Sequence, residues 1–259
     1  MANSVTVEKL GQSAILTINN PPANLWTLES LRELAIVMEG VEQDDTIRSV
    51  VLTGEGDAFF SAGADLKQFA SGDRQLAADV IDAFAAAFGA IRRFHGVTVA
   101  AINGYALGGG LECALACDYM VAEVGAQLGL PETKVGLLPC AGGTKALTDK
   151  VGVSWAKRII LGGEIIPAAK ALAIGLVEEV ADPGLSKIVA VSLANKVARQ
   201  APHAIQEVRR LIMGSAYHDM DEHLALEKQA MLRLIGEEEQ LEGVAAFMGK
   251  RTPKWCDDE

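Results

Sequence analysis

Positive charge is scarce in this sequence. Across 259 residues, 23 Lys and Arg face 34 Asp and Glu, a net charge of −11. No basic patch offsets that acidity, so nucleic acid is not an expected partner. An anionic ligand would need a local Lys or Arg cluster against the overall field. No apolar run reaches membrane-spanning length. The start, Met-Ala-Asn-Ser-Val-Thr-Val, lacks the basic and apolar regions of a secretory signal, so a cytoplasmic protein with no membrane partner is expected. Aromatic residues are only 5% of the chain; abundant Ala and Gly suggest closely packed helices and tight turns instead of an aromatic binding surface. Cysteine is also sparse. Cys113 and Cys117 share a helix face, but with Cys140 and Cys256 they offer no zinc spacing, so free thiols are expected. His95, His203, His218 and His223 form no ligand pattern either, and no metal site is expected.

Half of the residues are apolar and 22% are charged, a globular composition long enough for one large domain or two small ones. Val5, Val7 and then Ala14 to Ile18 read as two strands turning at Gly11. Thr27 can cap a helix carrying Leu28, Leu31, Leu34, Met38 and Val41 at helical spacing. Arg48 to Thr53 reads as a buried strand. A second long helix carries Leu76, Val80, Phe84, Phe88 and Ile91. Val97 to Ile102 is a strand-length apolar run feeding a glycine turn, after which Gly109 to Ala116 reads as a helix. Tyr119 to Ala122 and Ala126 to Leu128 read as short strands. From about residue 141 the pattern is mainly helical, except for a short helix end and strand within Ala171 to Val180. The acidic run Glu237 to Glu239 reads as a solvated helix start.

Chemistry concentrates in three segments: Phe-Ser-Ala-Gly-Ala-Asp-Leu (Phe60 to Leu66), Asn-Gly-Tyr-Ala-Leu-Gly-Gly-Gly-Leu-Glu (Asn103 to Glu112) and Leu-Pro-Glu ending at Glu132. Glycine turns bring bare N–H groups close to a ligand, where they can hold a developing oxyanion. A helix opening at such a turn adds the positive end of its dipole. Two carboxylates can divide acid and base work. Taken alone, Gly108 to Gly110 also suits a ligand-free strand-to-helix turn, and each glutamate suits a first-turn cap.

The order and spacing of these segments resemble the crotonase superfamily, and most closely its enoyl-CoA hydratases. The resemblance runs from Asn-Pro-Pro-Ala-Asn (Asn20 to Asn24) through Pro-Cys-Ala-Gly-Gly-Thr (Pro139 to Thr144) to Glu-Gly-Val-Ala-Ala-Phe-Met-Gly-Lys-Arg (Glu242 to Arg251). It implies an α/β crotonase fold. Residues 1–184 would form a spiral of β-β-α units holding the active site, and residues 185–259 a helical layer that makes a homotrimer or a dimer of trimers. The implied activity is addition of water to a short- or medium-chain trans-2-enoyl-CoA. CoA belongs to the substrate, and no cofactor is needed.

By the same resemblance, Glu112 and Glu132 are the catalytic pair and the N–H groups of Ala64 and Gly109 form an oxyanion hole. Substrate contacts are implied for Ala62, Asp65, Leu66 and Cys140. Ala23 is implied at the adenine pocket, Lys67 near the CoA phosphates and Phe247 by the acyl chain. Lys250 is implied to reach the CoA of a neighbouring subunit. For the lysines a solvated surface position is the ordinary alternative, and Asp65 suits a helix cap better than a catalyst. Retention of both glutamates favours hydration over the isomerase, hydrolase and lyase chemistries of the same fold, and over a non-catalytic acyl-CoA binder. Cys140 departs from the pattern: hydratases usually have glycine there. Its N–H remains available to hold water, but the side chain adds bulk and restricts φ.

Overall fold

The computed structural model describes residues 3–256. Two compact units divide between Ala194 and Asn195. The first contains two sheets. β1 (Val5–Leu10) and β2 (Ser13–Ile18) form a hairpin around Gly11, whose φ of +57° suits glycine. β2 continues in parallel to β3 (Ser49–Gly54), β5 (Val97–Ile102), β7 (Tyr119–Glu123) and β10 (Glu179–Ala181), giving the order β1-β2-β3-β5-β7-β10. The second sheet has the order β4-β6-β8-β9, from β4 (Phe59–Ser61), β6 (Tyr105–Leu107), β8 (Gln127–Gly129) and β9 (Ile166–Pro167). β3 and β5 are wholly buried, which is why they are mainly apolar without a polar face.

The crossovers are helical. α1 (Leu28–Glu42) starts at a capping box between Thr27 and Ser30, and α2 (Arg74–Arg93) starts on the Asp73 side chain. The two pack through their apolar faces, and Phe88 of α2 meets Trp26 and Phe84 edge-on at 5.9 and 5.3 Å. Side chains this buried each contribute about 1.5–3 kcal/mol. α3 (Gly109–Leu115) follows β6 directly. α4 (Gly143–Ile160) breaks at Gly152, whose φ is +75°, and α5 (Ala168–Ala173) precedes β10.

Each strand of the main sheet from β3 onward is followed by a partner in the small sheet or by a return helix. Asn103 fixes one such change of sheet. Its Nδ2 donates to Gly54 O at 2.9 Å and to Gly56 O at 2.8 Å. This is the β-β-α spiral of the crotonase fold.

α6 (Ser186–Ala198) spans the division between the units. The second unit continues with α7 (Pro202–Gly214), α8 (Met220–Leu234) and α9 (Glu238–Met248). One expectation changes here. Glu237 and Glu238 are exposed, but the Glu239 side chain is 15% exposed. Its carboxylate accepts from His203 N at 3.0 and 3.1 Å, at the start of α7. It therefore caps a neighbouring helix instead of standing free in solvent. Among the described residues, no helix is long and apolar enough to cross a membrane.

Candidate functional site

β4 and β6 are parallel, pairing Phe59 with Tyr105 and Ser61 with Ala106, so the turns that follow them emerge together. After β4, nearly every N–H is spoken for. Ala62 N donates to Ala23 O at 3.0 Å, Gly63 N to Ser61 Oγ at 3.2 Å and Asp65 N to Trp26 O at 2.9 Å. After β6, Gly108 N donates to Gly129 O at 2.9 Å. Among the described residues, no acceptor stands opposite Ala64 N or Gly109 N.

The glycines that bring these groups together have distinct tasks. Gly63 has φ +93°, and a methyl there would stand 2.7 Å from Leu107 O and 3.2 Å from Gly109 N. In the triple-glycine turn only Gly108 has a positive φ, +53°. Gly110 is helical, but a methyl there would sit 2.1 Å from Ser61 O. The run is therefore one flexible position followed by a close approach of two backbones, not three equivalent hinges.

Glu112 lies in the first turn of α3 and is 3% exposed. Its Oε1 accepts from Ala141 N and Gly143 N, both at 2.8 Å. Burial raises its pKa above the usual carboxylate value; N–H groups of Gly143, Ala141 and Cys140, and the positive charge of Arg92, oppose the rise. Glu132 opens the short 3-10 turn Glu132–Val135 after Pro131. The parallel pairing of β6 and β8 carries it to the glycine turn, where its Oε1 would be 3.0 Å from a methyl on Gly108. Its Oε2 is buried without a hydrogen-bond partner. Burial, helped by the nearby Glu112, pushes its pKa up to about 7, with its own backbone N–H opposing. The two carboxylates thus have unlike surroundings: one is held by several donors, while the other keeps an open oxygen.

Both reach a cavity of about 980 Å³. Of the residues singled out in the sequence, Ala62, Ala64, Asp65, Leu66, Lys67, Gly109, Glu112, Glu132 and Cys140 line it together. Asp65 also caps the 3-10 turn that follows it, accepting from Lys67 N at 3.0 Å. The Cys140 N–H faces Glu112, while burial and the two carboxylates push its thiol up to about 11, so it is a neutral –SH. Ala23 stands outside the lining and meets the site through its carbonyl. Phe247 and Lys250 belong to the second unit; Phe247 is 85% exposed at the end of α9, and Lys250 follows with φ +52°.

Sequence reasoning missed the cavity's hydrocarbon walls. Phe69, Ile81 and Phe84 line the cavity, as do Val135, Leu137 and Leu138. Ile81 and Phe84 are three apart on α2, a spacing that places them on one face; Phe84 was legible only as a core residue. Such a site can stabilise a negative oxygen with two N–H groups while two carboxylates exchange protons beside it.

The spiral core and its paired turns define a crotonase-type enzyme. The chain belongs to the enoyl-CoA hydratase/isomerase family, whose model matches residues 11–258. It is 38% identical to the 2,3-dehydroadipyl-CoA hydratase of Escherichia coli K12, covering 97% of this chain and 98% of that protein. It is 35% identical to the short-chain-enoyl-CoA hydratase of Clostridium acetobutylicum, with 96% of each chain covered. Among solved structures, Pseudomonas aeruginosa DspI is 51% identical with a TM-score of 0.95, over 98% of this chain and 97% of that one. An enoyl-CoA hydratase from Bacillus anthracis is 35% identical with a TM-score of 0.92, over 96% of this chain and 98% of that one.

Proposed function

We propose that the protein is an enoyl-CoA hydratase that adds water to trans-2-enoyl-CoA to give 3-hydroxyacyl-CoA. The observation that carries this reading is a pair of unlike carboxylates, Glu112 buried and Glu132 half-buried, beside two unused N–H groups. The thioester oxygen takes the N–H groups of Ala64 and Gly109, which stabilise the enolate as water attacks C3. Removing one such donor elsewhere costs about 3 kcal/mol of transition-state stabilisation. Glu112, held charged by donors, takes the proton from water. Glu132, whose raised pKa keeps a proton available near neutrality, delivers one to C2. The water proton left on Glu112 and the vacancy on Glu132 are reset by exchange with solvent.

The reaction needs no metal or redox cofactor. Lys67 is suited to the CoA phosphates, with Ala23 by the adenine. The hydrocarbon walls favour an apolar acyl group, short or medium in length. Phe247 and Lys250 act from a trimer or dimer of trimers, a reading supported by exposed apolar side chains on the second unit, including Met220, Phe247 and Met248. Sedimentation of the active enzyme as a monomer would contradict that assembly. The test of function is a panel of 2-enoyl-CoAs of four to ten carbons with products identified by mass. Hydration gives a product one water heavier than the substrate. Free CoA or an isomer of unchanged mass as the main product would contradict it.

A further inference from the structure

Arg92 and Arg93 end α2, the helix that also supplies Ile81 and Phe84 to the cavity wall. They turn different ways. The Arg93 guanidinium folds back along its own helix, where a methyl on Gly89 would stand 2.8 Å from its Nη1. Arg92 is half-buried, and its Nη1 would be 3.7 Å from a methyl on Gly142. Gly142 lies between Ala141 and Gly143, whose N–H groups both hold Glu112 Oε1. Among the described residues, no hydrogen bond or ion pair engages the Arg92 side chain. A half-buried guanidinium without a close partner is costly unless an opposite charge faces it. Glu112 is that charge.

We propose that Arg92 is a positioning residue: from behind the turn Pro139 to Gly143 it keeps Glu112 as the charged member of the carboxylate pair, and so fixes which glutamate takes a proton and which gives one. Two nearby carboxylates disfavour double ionisation, and their surroundings decide which retains the proton. Around Glu112 the groups in play are Arg92 from α2, Glu132 from the 3-10 turn, and the neutral thiol of Cys140. Around Arg92 they are Arg93 and Glu112. Arg92 is the one cation among the groups around Glu112, and it adds to the N–H groups of Gly143, Ala141 and Cys140 in favouring the charged form of Glu112. Its action is coulombic and passes across the turn, so it needs a cation at that place more than a particular hydrogen-bond geometry.

The proposal rests on the hydratase reading for its catalytic meaning, but it can be tested without turnover. Glutamate labelled with 13C at Cδ is incorporated, and the Glu112 signal is assigned by its loss in E112Q. Its titration is then followed in wild type, R92K and R92M, the last nearly isosteric and uncharged. The Glu112 midpoint rises in R92M and stays near wild type in R92K. In turnover the acidic limb of kcat/KM moves by the same amount, with KM on the plateau little changed. If R92M does not fold, R92Q takes its place. A midpoint equal in all variants, even with lower stability, reduces Arg92 to a helix-end cation and overturns the proposal. An R92K midpoint displaced as far as that of R92M also overturns it. Intact hydration with an unmoved midpoint rejects the Arg92 role alone; a moved midpoint in a protein that hydrates no enoyl-CoA rejects the hydratase reading alone.

Discussion

Glu112 Oε1 takes two backbone N–H groups at 2.8 Å, whereas Glu132 keeps a buried oxygen with none. That difference in surroundings sets the expected pH profile. Glu132 must carry a proton to act as the acid, so kcat/KM falls as pH rises through about 7. Glu112 must be charged to act as the base, so activity also falls on the acid side. Replacing either by Gln lowers kcat at least about 100-fold, and the double variant is far less than additive because the two work as a unit. Near-normal hydration by either single variant would contradict the pairing. Cys140 offers a finer test. Its thiol lines the cavity while its N–H faces Glu112. Cys140→Gly keeps the N–H and removes the bulk, so hydration persists and tolerance of acyl-chain length widens. The added backbone freedom costs about 0.5–1 kcal/mol of stability. An unchanged kcat/KM profile across chain lengths would show that Cys140 only fills space.

At the scale of elements, the close approach of α3 to β4 determines whether the N–H groups converge. Gly110→Ala places a methyl 2.1 Å from Ser61 O. The backbones must separate, at a cost of about 1–3 kcal/mol or more, and activity falls although no functional group is lost. A variant with wild-type Tm and kcat would contradict this account of the turn. The long elements were legible because burial writes a pattern into them: α1 and α2 through apolar spacing, β3 and β5 through mainly apolar stretches of strand length. β4, β6 and β9 were not identified as strands. At two or three residues each they are too short to alternate, and they exist through pairing within the second sheet. The motifs gave about half of the residues around the cavity, since glycine turns and carboxylates leave a chemical pattern. The hydrocarbon wall and Arg92 left no such mark. Phe84 looks the same whether it faces core or cavity, and an arginine in a last helical turn is what the dipole asks for anyway.

For the whole molecule, the raised Glu132 pKa links the site to folding. The unfolded carboxyl titrates near 4.5 and the folded one near 7. The folded state therefore holds the proton more tightly: the resulting stability is fully present below about 4.5 and is lost as pH rises through about 7. Glu132→Gln has no proton to lose. Relative to wild type it gains stability between pH 4 and pH 8, on the order of 2 kcal/mol after allowance for solvent screening. Thermal unfolding of both proteins across that range checks the sign; a difference independent of pH would mean that Glu132 is not buried as described.

The most direct test of the account follows the atoms of one turnover. A 2-enoyl-CoA is converted in water enriched in both deuterium and 18O, and the product is mapped by mass fragmentation and NMR. Water addition with Glu112 as base and Glu132 as acid places one 18O at C3 and one deuterium at C2, and this labelling is lost when both glutamates are Gln. Deuterium at C4 with the double bond moved, or 18O in a free carboxylate with CoA released, would contradict hydration as the reaction of this site.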